Sequence, residues 1–405
     1  MKINTIIHDK PKERKNDIHK NSYNKDPKYH PFMQEREYVR ALNATKIDRL
    51  LAKPFVKAYN YHVEGISHLT QNKNTDIFAS ASFDSSIYIW NVKEDLKYKI
   101  QKNCKITGLS FIGDNLIVGE NNRVVLYEGE WSDRKRTGEI NEYEVKHVNN
   151  VNSHKNEIII STSNGVKVFD LERKTQKYSI GNSFCNYAEA NTVLDNLLAF
   201  SENNTLNLVD TRVNEIFSRV KVGIRSNEIK FNIDGKYMAS GNEDSFLYLH
   251  DLRYLNNPFC VFKHHFNAIN CIDFGKKLVS GSADTTVRIF DVQERKCLDV
   301  YHTRRMFRVN GIKLSKNEEF VISGSDDGNL RLWKTNASRK IGIISDNQNR
   351  ALAYNDALKD KFKYVKEIHR ISNQRFLPKP LKSELKVRKE QIQAQKRREE
   401  RKKEK

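Results

Sequence analysis

Residues 322–333 read I-S-G-S-D-D-G-N-L-R-L-W. A short apolar run enters a Gly-Ser-Asp-Asp-Gly turn, and the alternating Leu330 and Leu332 lead out to Trp333. Glycine supplies a left-handed position at Gly328, and the aspartates can bond back to turn amides. The stretch therefore predicts two antiparallel strands joined tightly. The arrangement recurs upstream. Counted from the place of Trp333, the anchors are Trp90, Tyr127, Phe169, Val209, His250, Phe290 and Trp333, spaced 37 to 43 residues apart. Six residues before them stand Asp84, Asn121, Ser163, Asn203, Asp244, Asp284 and Asp327, each a short polar turn former.

A period of about 40–45 residues is that of a WD-repeat propeller blade. One such repeat makes a four-stranded sheet that cannot bury both faces alone, so seven anchors predict seven blades around an axis. The expected fold is all-β: a seven-bladed WD-repeat β-propeller over 61–338, with an extended N-terminal leader (1–60) and a basic α-helical C-terminal extension (339–405). The leader holds helical spacing over 35–51, with Val39, Leu42, Ile47 and Leu50 or Leu51 as its apolar positions. The prolines of D-P-K-Y-H-P-F-M (26–33) favour an extended path before it. A leader strand is expected to complete the last blade and remove the open edge that a linear stack would leave.

The repeats differ in completeness. In the first, His62, Ser80, Ser82, Asp84 and Trp90 have the spacing of a hydrogen-bonded brace between a loop and its blade. The sixth repeats it with His265, Ser280 and Asp284, but Phe290 lacks an indole donor. These residue types also occur in catalytic Ser-His-Asp sets, yet recurrence blade by blade marks architecture. Repeats 2 to 4 have no turn aspartate, although their apolar alternation survives. Asp244, Asp327 and Trp333 complete the structural set. Trp131, in G-E-W-S-D-R-K-R, is expected in a loop beside Arg134, Lys135 and Arg136, where it would stack a base or lie over a blade edge.

The formal charge of +20 is unevenly placed. Residues 1–60 carry a net +7, 61–338 a net +1 and 339–405 a net +12. Charge concentrated in appendages suggests arms that engage a polyanion, or else solvated tails. Within the repeats, Y-H-T-R-R-M-F-R (301–308) sets Arg304, Arg305 and Arg308 among apolar residues in a blade-joining loop, suited to phosphates or acidic partners. Positions 351–372 show helical spacing as one segment ended by Pro378 and Pro380. Residues from 382 onward read as a long helix with too little apolar surface to pack by itself.

With 30% charged residues and a mean hydropathy of −0.73, no apolar run approaches the roughly 18 residues of a membrane span. The opening M-K-I-N-T-I-I-H-D-K lacks the apolar core of a secretory signal. Five cysteines stand singly without C-x-x-C, predicting reduced, buried thiols and no zinc site. There is no phosphate-binding Gly-rich loop, H-E-x-x-H or G-x-S-x-G. The expectation is a non-enzymatic docking hub without catalytic residue, cofactor, metal or small-molecule substrate.

Several stretches outside the repeat core resemble the Sof family of WD-repeat ribosome-assembly factors. They are D-P-K-Y-H-P-F-M-Q-E-R-E-Y-V-R-A-L-N-A-T-K-I-D-R-L-L-A-K-P-F (26–55), Y-H-T-R-R-M (301–306), R-L-W-K-T-N-A-S-R-K-I-G (331–342), Y-N-D-A-L-K-D-K-F-K-Y-V-K-E-I-H-R-I (354–371) and R-F-L-P-K (375–379). Asn373 and Gln374 depart from the basic pair usual there. The resemblance implies a nucleolar, nuclear component of the small-subunit processome, a particle containing the U-three small nucleolar RNP. It implies a part in pre-rRNA processing towards 18S rRNA, with pre-ribosomal RNA and other processome proteins as partners and no membrane. Candidate RNA or partner contacts are Arg304, Arg305, Arg308, Arg370, Arg375, Lys379, Arg388, Lys389, Arg397 and Arg398. The alternative is a substrate receptor of a cullin-type ubiquitin ligase. Such receptors use W-D-x-R at a blade end, to which V-D-T-R (209–212) and H-D-L-R (250–253) come nearest.

Overall fold

The computed structural model describes residues 32–92, 95–129, 138–181 and 183–403, so residues 1–31, with the prolines of the extended path predicted for 26–33, and Trp131 with its basic neighbours lie outside the described residues. The described chain forms two units, 52–339 with 375–405, and the described part of 1–51 with 340–374.

The larger unit holds seven four-stranded antiparallel sheets, a seven-bladed β-propeller. Blades 1 to 6 occupy 66–101, 106–144, 148–180, 185–221, 226–262 and 269–301. Blade 7 takes three strands from 309–334 and its fourth from the leader. Strand Phe55–Tyr59 pairs antiparallel with Leu330–Lys334, setting Phe55 opposite Trp333 and Tyr59 opposite Leu330. Lys334 N–H continues the pairing to Pro54 O at 2.8 Å. The leader thus covers the edge at which the ring would otherwise stay open.

The polar turn residues act as the spacing predicts. Asp84, Asp244, Asp284 and Asp327 each accept through Oδ1 from the amide two residues on, at 2.8, 2.8, 3.0 and 3.3 Å. The residue between is left-handed: Ser85, Ser245 and Thr285 at φ 62°, 68° and 65°, and Gly328 at 77°. The carboxylate bond helps to hold a conformation that Ser and Thr rarely adopt alone. All seven anchor side chains are buried. Between neighbouring blades lie seven apolar clusters; the one joining blades 7 and 1 holds Tyr59, Ile66, Phe78, Trp90, Ile322 and Leu330. At about 1.5–3 kcal/mol per large side chain removed from water, these layers bind sheet to sheet.

In the smaller unit, helices α1 (Met33–Arg49), α2 (Asp346–Lys361) and α3 (Lys366–Ser372) pack together. Of the face predicted for α1, only Leu42 packs inward. Val39, Ile47 and Leu51 are exposed, while Ala41, Ala44 and Thr45 are covered, Ala41 meeting Leu358 and Ile368. Small residues let the helices approach closely, and polar contacts close the rim. Tyr38 OH donates to Glu367 Oε2 at 2.7 Å, and Arg40 Nε to Asn355 Oδ1 at 2.9 Å. Positions 351–372 are not one helix. The chain breaks at 362–365, where Val365 turns extended to cap α3. Nor do the prolines end that segment, because α3 has stopped at Ser372. Pro380 instead lies in the first turn of α4 (Lys379–Lys403), where a missing N–H costs nothing.

None of the five cysteines is paired, and Cys104 is exposed rather than buried as expected. Among the described residues no helix is long and apolar enough to cross a membrane.

Candidate nucleic-acid and partner interface

The His-Ser-Asp sets are internal braces. His62 Nε2 lies 2.8 Å from Ser80 Oγ and Nδ1 lies 3.2 Å from Ser86 Oγ, which in turn bonds Asp84. In blade 6 the link is direct, with His265 Nδ1 to Asp284 Oδ2 and Nε2 to Ser280 Oγ. Burial depresses the His62 pKa to about 4 against the pull of Asp84, so the ring is neutral near pH 7. Ser80 and Ser280 are fully buried, out of reach of any substrate. The brace does not extend to tryptophan in blade 1, where Trp90 Nε1 has no partner. Blade 7 has no histidine: Trp333 Nε1 donates to Ser323 Oγ at 2.8 Å, and Asp327 is gripped by Arg331.

The arginine loop is built for display. It joins the outer strand Lys296–Tyr301 of blade 6 to the inner strand Val309–Leu314 of blade 7. Met306 plugs the core beside Tyr301, Val309 and Trp333. Phe307 N–H donates to Ser325 Oγ at 3.1 Å, and Arg308 O accepts from Asp326 N–H at 2.9 Å. With the loop fixed from beneath, Arg304, Arg305, Phe307 and Arg308 are all exposed. None of the three guanidinium groups forms an ion pair with a described residue.

The C-terminal candidates divide. Arg375 Nη2 donates to Cys297 O at 3.2 Å, holding the chain to blade 6. Leu381 is buried, and Arg388 lies 5.9 Å from the Phe246 ring, so the start of α4 packs on the loops of blades 5 and 6. Lys379, Lys389, Arg397 and Arg398 are exposed, as is Arg370 on α3 in the smaller unit.

Two features are not anticipated from the sequence pattern. Asn149, Asn186, Asn227, Asn270 and Asn310 each donate through Nδ2 to the carbonyl that opens the next blade's inner strand (Cys185, Ser226, Ile269, Val309 and Ile66) at 2.7–3.2 Å. Each stands where the inner strand bulges, which turns the side chain across the joint. Their spacing of 37 to 43 residues is visible in the sequence. The second is a cavity of about 620 Å³ at one mouth of the central channel. Lys230 pairs with Glu189 and lies 4.0 Å from Glu228, Lys313 is 3.4 Å from Asp273, and Tyr187 OH donates to Glu189 at 3.0 Å. Burial raises the Glu228 pKa against the pull of Lys313 and Lys230. Burial also works against charge on Lys313, but Asp273, Glu228 and Glu189 outweigh it and raise its pKa. A lone charge at the same place in successive inner strands is the signal that marks this network.

Comparison with known proteins agrees with this architecture. A Sof1-like domain matches residues 335–405, and the WD domain, G-beta repeat, matches 53–91, 256–291 and 295–334. The WD matches leave out blades 2 to 4, which lack a turn aspartate, and most of blade 5, which has one. DDB1- and CUL4-associated factor 13 of Danio rerio is 32% identical over 98% of this chain and 94% of its own. Its namesake in Dictyostelium discoideum is 32% identical over 93% and 89%. Protein SOF1 of Saccharomyces cerevisiae is 30% identical over 93% and 85%. With that likeness running through ring and extension alike, the chain belongs to the Sof1-like family of WD-repeat proteins.

Proposed function

We propose that this protein is a non-enzymatic scaffold of the small-subunit processome, acting in the nucleolus in pre-rRNA processing towards 18S rRNA. The propeller supplies a rigid ring on which assembly factors dock. The arginine loop and the exposed basic residues of α4 meet RNA of the particle, and Arg370 adds a cation from the smaller unit. The observation that carries this reading is the exposed, unpaired Arg304, Arg305 and Arg308 on a loop fixed by Met306. Three guanidinium groups without internal partners favour phosphate contact. The resemblance of the segments outside the repeats to the Sof family of ribosome-assembly factors adds the ribosomal context. The test is capture of the tagged full chain with and without ribonuclease, beside a triple Arg304→Ala, Arg305→Ala, Arg308→Ala variant. Ribonuclease-sensitive recovery of 18S precursors by the parent, reduced in the variant, supports the reading. Recovery that is equal in parent and variant, or indifferent to ribonuclease, sinks it.

A second reading is a substrate receptor of a cullin-type ligase. It is favoured by the relatives named DDB1- and CUL4-associated factor 13 and by two turns that keep the D-x-R of the receptor motif without its Trp. Arg212 folds back on Asp210, with Nε and Nη2 at 3.0 and 2.6 Å, and Arg253 does the same on Asp251 at 3.2 and 3.0 Å. Both arginines remain largely exposed on adjacent blades. Ribonuclease-resistant capture of a ligase adaptor, abolished by Arg212→Ala with Arg253→Ala, distinguishes this reading.

A further inference from the structure

The ring is neutral in sum, yet its blade-joining loops are basic. In blades 1, 3, 5, 6 and 7 the turn between the second and third strands donates an amide to the incoming blade-joining loop. The pairs are Phe83 to Gly65, Ser163 to His147, Glu243 to Arg225, Ala283 to Ala268 and Asp326 to Arg308, at 2.9–3.3 Å. The asparagine bonds tie the starts of successive inner strands to one another. All these loops therefore lie on one face, which the start of α4 covers at blades 5 and 6. The seven joining loops (60–65, 102–105, 145–147, 181–184, 222–225, 263–268 and 302–308) contain eight Lys/Arg and a single acid, Glu64. Lys105, Lys146, Lys263, Arg304, Arg305 and Arg308 are exposed.

The turn aspartates on the same face keep their charge: Arg331 pairs with Asp327, but Asp84, Asp244 and Asp326 are half-exposed, so the positive excess is local to the arginine loop rather than spread over the face. Asp84, Asp244, Asp284 and Asp327 cap their own turns, and Asp326 accepts from Asn310 at 2.7 Å. Glu64 and Glu243 are exposed acids in these loops and turns. Aromatic rings stand among the cations. Phe307 is 61% exposed between Arg305 and Arg308, and Phe83 is 45% exposed with Lys105 Nζ 5.9 Å from its ring. The main chain at Phe307 is already fixed on both sides, so binding there costs little further backbone order.

We propose that this face binds single-stranded RNA, with a base stacked on Phe307 and the flanking phosphates held by Arg304, Arg305 and Arg308. The proposal rests on the RNA-contacting reading above and specifies its ligand and its face. Duplex RNA keeps its bases stacked inside and presents no free ring to Phe307, whereas an unpaired strand presents one at every nucleotide. An acidic protein would satisfy the arginines and leave the ring unused.

The test is fluorescence anisotropy of the full chain with a labelled 12-nucleotide oligouridylate and with a 16-base-pair RNA duplex, across a salt series. Phe307→Ala is expected to weaken binding of the single strand about tenfold or more, with the salt slope unchanged, Phe307→Tyr restoring it, and duplex binding unaltered. Phe307 fills no core, so its removal leaves the fold intact, which melting curves verify. Unchanged single-strand affinity in Phe307→Ala, or equal weakening on both RNAs, overturns the stacking proposal while the RNA reading stands. Absence of RNA binding by the parent overturns both.

Discussion

His265 Nδ1 lies 2.8 Å from Asp284 Oδ2, with both side chains almost wholly removed from water. Burial pushes the His265 pKa down, so the neutral ring serves as a two-ended connector between Asp284 and Ser280. Asp284 also accepts from the Phe266 and Thr286 amides and the Thr286 hydroxyl. One carboxylate therefore satisfies four donors at a blade joint. Asp284→Ala is expected to destabilise the ring by about 2–4 kcal/mol, because it strands several buried groups at once. Urea unfolding with an unchanged slope and a lowered midpoint checks this.

Buried histidines give the protein an acid-sensitive window. Burial lowers the pKa of His62, His68 and His250 to about 4. Between the unfolded value near 6.5 and that folded value, the unfolded chain binds protons that the folded chain refuses. The stabilisation is complete above about pH 6.5 and is lost as pH falls towards 4. Melting temperatures measured from pH 7.5 to 4.5 should fall by several degrees, with most of the decline below pH 6.5.

His250 should account for a separable part of that decline. It occupies in blade 5 the anchor place that Trp90 and Trp333 fill elsewhere, is 2% exposed, and has no partner for either ring nitrogen. Its ring stacks on Tyr248 at 6.4 Å. Phe290 shows that a blade accepts phenylalanine at this place. His250→Phe is expected to raise stability at pH 7 by about 1 kcal/mol and to flatten the acid decline. A lower melting temperature at pH 7 would mean that the polar ring has a partner there.

The channel network should behave as a coupled unit. Glu189→Leu leaves Lys230 with only Glu228, 4.0 Å away, and costs about 3–5 kcal/mol. Adding Lys230→Met removes the stranded charge and should recover a large part of that cost. A double-mutant cycle reads the coupling directly; additive effects would show that water already reaches Lys230.

What the sequence discloses and what it hides follow from how far each feature reaches along the chain. The blade signal sits within six residues, from Asp327 to Trp333, and repeats, so the ring is legible even where Val209 replaces an aromatic anchor. The brace spans about twenty residues and is legible from His62 to Asp84, though not the insertion of Ser86 between them. The channel charges come one from each of several blades, and a single Lys313 or Glu189 in a strand looks like ordinary alternation. The buried side of α1 is hidden because Ala41 and Ala44 carry little hydrophobic signal, while the larger Val39 and Ile47 face outward. The arginine loop escapes a sum over 61–338, because the turn acids of its own face and others in the ring balance it.

Helix α4 should separate anchoring from RNA recognition. Its start is tied down by buried Leu381 and by Arg388 over Phe246, whereas Lys396, Arg397, Arg398 and Arg401 beyond them are exposed. Ending the chain after Ile392 removes seven Lys/Arg, those four among them, without touching the anchor. Melting should be unchanged, and the salt dependence of RNA binding should weaken by about 0.7 in log–log slope for each phosphate of a single strand that is no longer neutralised. Ending it after Phe376 also removes Leu381 and should cost about 1–3 kcal/mol while the blades stay folded. Equal RNA affinity and equal salt slope in all three chains would assign RNA binding to the propeller face alone. A large drop in stability on ending the chain after Ile392 would show that the distal helix is packed rather than presented.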